Sequence, residues 1–261
     1  MHHIMLDQFA NRSTPVHRLD PAAKAVALLA VVLAAVLVTR DRFLPLVPVA
    51  AGLAAYHAAS RTPIRYTLRR LAVVSPFAVV LVVLFPFLEP GEAVARWPVA
   101  GGTVVVTRQG LVRAGHLLAK FVLCTWAALL LLATTRFQDL LQGLARLRVP
   151  RVFVTQLAVL YRYLWVVMDE GMRMRMARTA RDGGLGPWRL RFRSRVGVIG
   201  VLFLRSWDRA ERIYRAMAAR GFDGTLHAPR RGRLRPGDWL FAGGVLAASA
   251  ALVVGDRLLY G

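Results

Sequence analysis

The sequence predicts an all-α, polytopic membrane protein with about five transmembrane helices and a cytoplasmic domain of long amphipathic helices. Hydrophobic residues make up 56% of the 261-residue chain and the mean hydropathy is +0.46, whereas soluble proteins are roughly 45–50% apolar. Apolar runs of about 18 residues, enough to cross a bilayer, recur along the chain. The net charge of +22 comes mainly from arginines between these runs, as the positive-inside rule predicts.

The apolar runs predict where the spans lie. The first begins with Asp20 as N-cap and Pro21 at the first helical position. It follows a mostly polar stretch, which favours a retained span over a cleaved signal peptide. The Gly-Gly stretch within residues 94–108 favours a short extended turn or hairpin between the third and fourth spans. The five predicted spans cover residues 22–39, 43–60, 71–88, 111–135 and 238–259.

The arginine distribution divides the chain into three parts. Residues 1–135 contain the polar entry and spans 1 to 4, and residues 238–261 contain the last span. Residues 136–237 between them hold 22 arginines but only seven acidic residues. The basic loop 61–70 and the region 136–237 are therefore predicted to be cytoplasmic, and this alternation places the N-terminus in the cytoplasm as well.

The first half of the basic region predicts a long helix. Residues 137–148 are typical of a short amphipathic helix that Pro150 ends, and residues 151–181 of one continuous helix. Asp169 and Glu170 are adjacent and face different directions, so pairing of either carboxylate with Arg173, at i+4 or i+3, is predicted rather than acid–base chemistry. Three methionines four residues apart share one face of this helix: Met168, Met172 and Met176.

The second half of the region predicts another helix, over residues 206–221, that ends at a glycine. Residues 189–195 (RLRFRSR) before it favour either contact with anionic lipid headgroups or simple solvation. Residues 196–204 (VGVIGVLFL) are too short to span a bilayer and are predicted to pack at its interface as a separate segment. An apolar stripe follows the helix through Trp207, Ala210, Tyr214 and Met217.

Both helices end on an arginine that follows an alanine. These arginines are Arg181, after Ala180, and Arg220, after Ala219. One interpretation is capping, because a cation near a helix C-terminus interacts favourably with the helix dipole. The other is docking, because an arginine at a helix end can enter an acidic groove of a partner, beside an adaptable methionine face. The repetition on two helices favours docking.

The motifs of several enzyme classes are absent from the sequence. It contains no GxxxxGK[ST], no HExxH and no GxSxG, so the pattern excludes a P-loop ATPase and indicates no catalytic centre. The single cysteine, Cys124, excludes an intramolecular disulfide. Lys120 is the clearest charge inside a predicted span, whereas a solute pathway usually has more polar lining.

Three stretches together resemble a known family. They are STPVHRLDPAAK at 13–24, LYRYLWVVMDEGMRMRMARTARDGG at 160–184, and FLRSWDRAERIYRAMAARGFDG at 203–224. The chain is similar to the transmembrane coupling (T) component of energy-coupling factor (ECF) transporters, in particular the cobalt-transport CbiQ type. The similarity covers nearly the whole chain, and the third stretch is the most specific.

The resemblance implies a non-catalytic subunit of an ATP-driven importer in the bacterial plasma (inner) membrane. Members of the family carry two Ala-Arg-Gly motifs, each of which docks on one of two ATPase subunits. The second motif matches Ala219-Arg220-Gly221 fully. The first maps to Ala180-Arg181-Asp182, where an aspartate replaces the usual glycine.

The resemblance also implies the partners. The membrane helices hold a separate substrate-binding (S) component, which binds divalent cobalt or nickel, so no metal site is expected in this chain. No cofactor is expected here either, since ATP and Mg are used by the partner ATPase. Membrane lipid is a further expected partner, and nucleic acid is not.

Three other functions remain open on the sequence. A T component of a vitamin importer would look similar. A conventional permease would bind the solute itself, and would need the polar intramembrane contacts that are sparse here. A basic membrane-anchored protein that binds anionic lipid or nucleic acid would spread its binding over many arginines and lose affinity steeply with salt, whereas coupling concentrates the effect on Arg181 and Arg220.

Overall fold

Helices make up most of the described chain, which comprises residues 14–38, 43–99, 102–182, 187–224 and 236–260 of a computed structural model. The predicted all-α class is confirmed, with one two-stranded hairpin added. The elements in chain order are α1 (Pro15–Arg18), α2 (Pro21–Leu37), α3 (Leu46–Ser60), α4 (Ile64–Leu88), β1 (Ala93–Val99), β2 (Gly102–Thr107), α5 (Arg108–Thr134), α6 (Phe137–Arg146), α7 (Arg151–Asp182), α8 (Trp188–Ala219) and α9 (Pro236–Tyr260).

The chain forms two compact units. We call residues 6–143 together with 232–261 the bundle unit, and residues 144–231 the arginine unit. Helix α6 begins in the bundle unit and its last three residues belong to the arginine unit.

In the bundle unit, α2 packs against α9 and α5, and α5 also packs against α3 and α4. Helix α2 begins as predicted, since the Asp20 carboxylate accepts a hydrogen bond from Ala22 N at 2.9 Å and Pro21 occupies the first position. The apolar core where α2, α3 and α5 meet consists of Leu28, Ala35, Val38, Leu46, Val49, Leu53, Leu123, Ala127 and Leu130.

The hairpin β1–β2 connects α4 to α5. Its strands are antiparallel, with Val99 opposite Gly102, so the extended hairpin favoured by the sequence is present. Thr107 fixes the following corner, because its hydroxyl donates to Glu89 O at 2.8 Å and accepts from Gly110 N at 3.2 Å at the start of α5. A Cβ on Gly110 would lie 2.7 Å from Pro86 Cα, so only glycine permits this approach of α5 to α4.

Three described helices are long and apolar enough to cross a membrane: α5, α7 over Arg151–Arg181, and α9 over Pro236–Leu258. Helix α4 adds a fourth if its two parts, which meet at 49° next to Pro76, form one bent span. Helices α2 and α3 are apolar but have 17 and 15 residues. A helix occurs at each of the five predicted spans. Helix α7, which was not predicted as a span, also has the length and composition of one. Its first half is apolar and its second half carries the arginines.

In the arginine unit, the structure corrects the second predicted helix. It starts at Trp188 rather than at residue 206, and it continues without interruption to Ala219. The basic stretch 189–195 and the apolar stretch 196–204 are thus parts of α8 and not separate segments. The sequence contains no proline between 188 and 219, and Gly197 and Gly200 lie in open space, where a helix tolerates them.

Candidate functional site: two arginine-bearing helix ends

The first arginine end is formed by α7. The helix runs from Arg151 to Asp182, and Arg181 lies in its last turn with an exposed side chain. Residues 183–186, which include the two predicted terminating glycines, lie outside the described residues, and so does the side chain of Asp182. The structure therefore places Ala180 and Arg181 at an exposed helix end.

The second arginine end closes with a Schellman motif. Arg220 is the C-cap, and Gly221 follows it with φ +80°, the left-handed conformation in which glycine is favoured. Gly221 N donates to Ala218 O and Phe222 N donates to Met217 O, both at 3.0 Å. These bonds satisfy the last carbonyls of α8, so the backbone alone caps the helix and the exposed Arg220 side chain is not needed for it.

Both arginine side chains are available to a partner. Arg181 and Arg220 are exposed, and among the residues that the structure describes neither forms an ion pair. An exposed guanidinium with five donors can bind a carboxylate through two parallel hydrogen bonds. The ends therefore have the chemistry that docking requires.

The two helices are fixed to each other near their middles. A Cβ on Gly171 would lie 3.4 Å from Leu202 Cδ2, which marks close packing of α7 on α8. Glu170 accepts from Arg205 at 2.6 Å across the helix pair and from Arg173 at 2.9 Å on its own helix. Of the two carboxylates predicted to pair with Arg173, the structure shows Glu170 in that pair. Arg205, 35 residues away, could not be paired with Glu170 from the sequence.

The two arginine ends lie far apart. Helix α8 has 32 residues and stands between them, which at 1.5 Å per residue is about 48 Å. Trp188, where α8 begins, follows Arg181 by seven residues. Even a fully extended chain of that length places Trp188 within about 25 Å of Arg181. The two arginines are therefore at least about 20 Å apart, so one small groove cannot hold both.

The sequence profile of the family described as "Cobalt transport protein", CbiQ, matches residues 12–230. This match covers most of the chain, including both arginine ends. The chain belongs to the CbiQ family. The resemblance drawn from residues 13–24, 160–184 and 203–224 is thereby confirmed, and this family member is a membrane component of a transport system.

Curated relatives of this CbiQ-family chain agree with the match. The energy-coupling factor transporter transmembrane protein EcfT of Listeria innocua is 26% identical over 98% of this chain and 97% of its own length. The protein of the same name from Thermanaerovibrio acidaminovorans is 29% identical, over 97% of each chain. The cobalt transport protein CbiQ of Rhodobacter capsulatus is 30% identical over 77% of each.

The predicted methionine face of α7 is exposed. Met168, Met172 and Met176 are 45%, 37% and 64% exposed, whereas Trp165, two turns before Met172 on the same face, is buried. Met174, which the sequence analysis passed over, is half-buried. The three predicted methionines thus form a free surface, and their role as a partner contact stays a prediction.

The predicted apolar stripe of α8 is divided by the structure. Trp207 and Tyr214 are 64% and 62% exposed, and Ala210 is exposed between them. Met217 instead is half-buried. Phe222, whose backbone N–H donates to Met217 O in the Schellman motif, is half-buried as well. The exposed stripe continues toward the start of the helix through Phe203 and Ile199, which the sequence analysis had assigned to a separate segment.

Ligand groups for a metal ion do not gather in the part of the chain that the structure describes, where no three His, Cys, Asp or Glu side chains come together. What the site offers is two cationic helix ends beside exposed methionine and aromatic side chains. This chemistry suits protein–protein contact.

Proposed function

We propose that this chain is the membrane-embedded coupling subunit of an ATP-driven importer for divalent cobalt or nickel. It transmits the motion of partner ATPase subunits, which use ATP and Mg, through Arg181 and Arg220 to a membrane S component that binds the metal ion. The family description and the name of the Rhodobacter capsulatus relative support cobalt. The names of the EcfT relatives specify no substrate, so a T component of a vitamin importer is the second candidate.

The observation that carries the proposal is the separation of two free arginines by one continuous helix. Two exposed arginines at least about 20 Å apart need two grooves, as a pair of ATPase subunits supplies. Helix α8 is uninterrupted over its 32 residues, so a displacement at Arg220 moves its whole length. The Arg220 side chain is not needed to cap the helix by hydrogen bonds, because backbone bonds already close it, so only the weak dipole interaction of about 0.3–1 kcal/mol competes with docking as its role.

The docking chemistry follows from the charges. Each guanidinium enters an acidic groove of one ATPase, and the neighbouring Ala180 and Ala219 allow close approach. Met168, Met172 and Met176 supply an adaptable apolar contact beside the first dock, and Trp207, Tyr214 and Met217 beside the second. Both arginine ends then lie in the cytoplasm, because the ATPases are there, and the alternation of the predicted spans places the N-terminus on the same side.

The test uses cells that carry the complete transporter, with Arg181→Glu, Arg220→Glu and the control Arg193→Glu. Arg193 is an exposed arginine of the same unit that lies at neither of the two arginine ends. We expect each end variant to weaken ATPase association by about 2 kcal/mol or more, roughly 30-fold, because it removes one partner of a charge pair and adds repulsion. Metal uptake should fall with it. Retained uptake and association in both end variants would overturn the docking proposal.

Anionic lipid is the third partner that we propose, at the start of α8. Trp188 and Phe192 have ring centroids 5.7 Å apart, and with Arg191 and Arg195 they line a cavity of about 260 Å³. Aromatic rings between arginines are typical of a helix at a lipid headgroup surface. The Arg191→Gln/Arg195→Gln variant should retain less phosphatidylglycerol in native mass spectrometry than the control Arg175→Gln/Arg212→Gln, and equal retention would exclude this site.

A further inference from the structure

The start of α2 is contacted by three other elements of the bundle unit, and the first of them is α6. A Cβ on Gly143 would lie 2.9 Å from Ala22 N and 3.2 Å from Ala22 Cα. The backbone of α6 therefore lies directly against the first turn of α2, at a distance that only glycine permits. Glycine weakens the interior of a short helix, so its place here is explained by this contact.

Helix α5 is the second element held at this point. Lys24, in the first turns of α2, is 2% exposed, and its ammonium donates to Thr134 O at 2.9 Å. Thr134 is the last residue of α5, so the lysine binds a carbonyl at the negative end of that helix. Only Thr135 and Arg136 separate this carbonyl from the start of α6.

Helix α9 is the third. Asp20 N donates to the Asp238 carboxylate at 2.9 Å, which joins the beginnings of α2 and α9. Helix α3 is connected through α5, because Tyr56 OH and Thr134 Oγ1 lie 3.1 Å apart in hydrogen-bond contact. The first turns of α2 thus join α6 to three helices of the bundle by close packing and by hydrogen bonds, of which the Lys24–Thr134 bond is buried.

We propose that these first turns of α2 are the joint through which displacement of α6 reaches the membrane helices, with Lys24 and Gly143 as positioning residues. Lys24 holds the chain just before the α5–α6 corner and Gly143 holds α6 just after it. If α6 rotated about the α5–α6 corner by itself, either the Lys24–Thr134 hydrogen bond would break or the contact between Gly143 and Ala22 would open. Because both are costly to lose, α2 and α5 move together with α6. This inference rests on the proposed coupling function.

The chain offers a matched control at the other end of the same helix pair. Lys120 of α5 donates to Val36 O at 3.0 Å and to Val38 O at 2.9 Å, at the C-terminus of α2. Both contacts are lysine–carbonyl hydrogen bonds between α2 and α5. Lys24 of α2 binds the C-terminal end of α5, and Lys120 of α5 binds the C-terminal end of α2. Because it lies far from the α5–α6 corner, its loss removes a lysine–carbonyl contact without touching the joint.

The first measurement is amide hydrogen exchange on the purified chain, which needs no partner. In Lys24→Met and in Gly143→Ala, exchange over residues 137–143 should rise about tenfold or more, because α6 opens locally when its contact with α2 is weakened. Lys120→Met should leave those amides unchanged. Unchanged exchange in both joint variants, or an equal rise in Lys120→Met, would overturn the joint.

The second measurement is the metal imported per ATP hydrolysed by the complete transporter in proteoliposomes. Lys24→Met and Gly143→Ala should keep the ATPase bound and active while this ratio falls about tenfold, and Lys24→Arg should restore part of it. A wild-type ratio in both joint variants would contradict the transmission role. If Lys24→Met does not fold, Gly143→Ala decides the outcome.

The two proposals fail in different ways. Failure of the proposed function appears as ATPase association that does not depend on Arg181 and Arg220. Failure of the joint appears as normal exchange over residues 137–143 or a normal uptake ratio in variants whose ATPase is still bound.

Discussion

The bundle unit contains polar side chains that are buried and hydrogen-bonded, whereas the described polar side chains of the arginine unit are exposed or half-buried. Lys24, His57, Ser60 and Thr134 are all less than 9% exposed and have hydrogen bonds within the bundle unit. Among the described residues of the arginine unit, no polar side chain reaches that degree of burial, and α8 has no buried residue at all. Buried polar contacts stabilise the bundle unit, whereas the described side chains of the arginine unit are mostly accessible, as the proposed docking requires.

His57 illustrates the first kind of environment. The Trp126 indole N–H donates to His57 Nδ1 at 3.2 Å, and His57 Nε2 lies 3.1 Å from Thr62 O. Since an indole nitrogen only donates, Nδ1 must accept and Nε2–H must donate, which fixes the neutral tautomer. Such a network tolerates little change, because a buried donor or acceptor without its partner is costly.

The largest expected effect comes from the core of the bundle unit. Leu130 is fully buried, and Leu130→Ala should lower the free energy of unfolding by about 2–5 kcal/mol by leaving a cavity. Leu132→Ala, on the same helix but 50% exposed, should change it by about 0.5 kcal/mol or less. Thermal unfolding in detergent measures both, and equal effects would contradict the assigned core.

Trp126→Phe should have the next largest effect. It leaves the buried His57 Nδ1 without its donor, which costs about 1–3 kcal/mol of unfolding free energy. The control Trp188→Phe changes a side chain that is 67% exposed in the arginine unit and should leave stability unchanged. If Trp188→Phe proved as destabilising as Trp126→Phe, the contrast between the units would be wrong.

Gly200 within α8 and Gly221 just after its C-cap should respond in opposite directions to the same substitution. Gly221→Ala forces a side chain into a left-handed conformation and should cost about 1 kcal/mol, weakening ATPase binding through Arg220. Gly200→Ala lies inside the helix in open space and should stabilise it by about 0.5–1 kcal/mol. Unfolding and ATPase-binding measurements on both variants check the signs, and destabilisation by Gly200→Ala would argue against a continuous α8.

Removal of Glu170 should have the smallest effect on stability. Its carboxylate pairs with arginines on two helices, but those arginines are exposed, so Glu170→Gln should destabilise the chain only slightly and less at high salt. Glu211→Gln, which removes one pair within α8, should do still less. An effect of Glu170→Gln as large as that of Leu130→Ala would show that this ion pair behaves as a buried one.

Much of the architecture could be predicted because it depends on local chemistry. Apolar runs located five helices of the bundle unit, α2, α3, α4, α5 and α9, and Asp20-Pro21 located the start of α2. The glycine that ends α8 and the pairing of Glu170 with Arg173 are also local, since both depend on residues within one helical turn. The start of α8 was missed because an arginine-rich stretch and an apolar stretch were interpreted as two segments, although neither contains a residue that ends a helix.

What the sequence determined by itself is the class of protein: membrane helices from hydropathy, an exposed basic region from charge, and the family from three motifs. The tertiary structure decided which residues meet. That Gly143 of α6 touches Ala22, that Lys24 holds the end of α5, and that Arg205 pairs with Glu170 depends on positions 35 to 121 residues apart. Periodicity gives the faces of one helix, but contacts between helices are set by packing, which a single sequence does not encode locally.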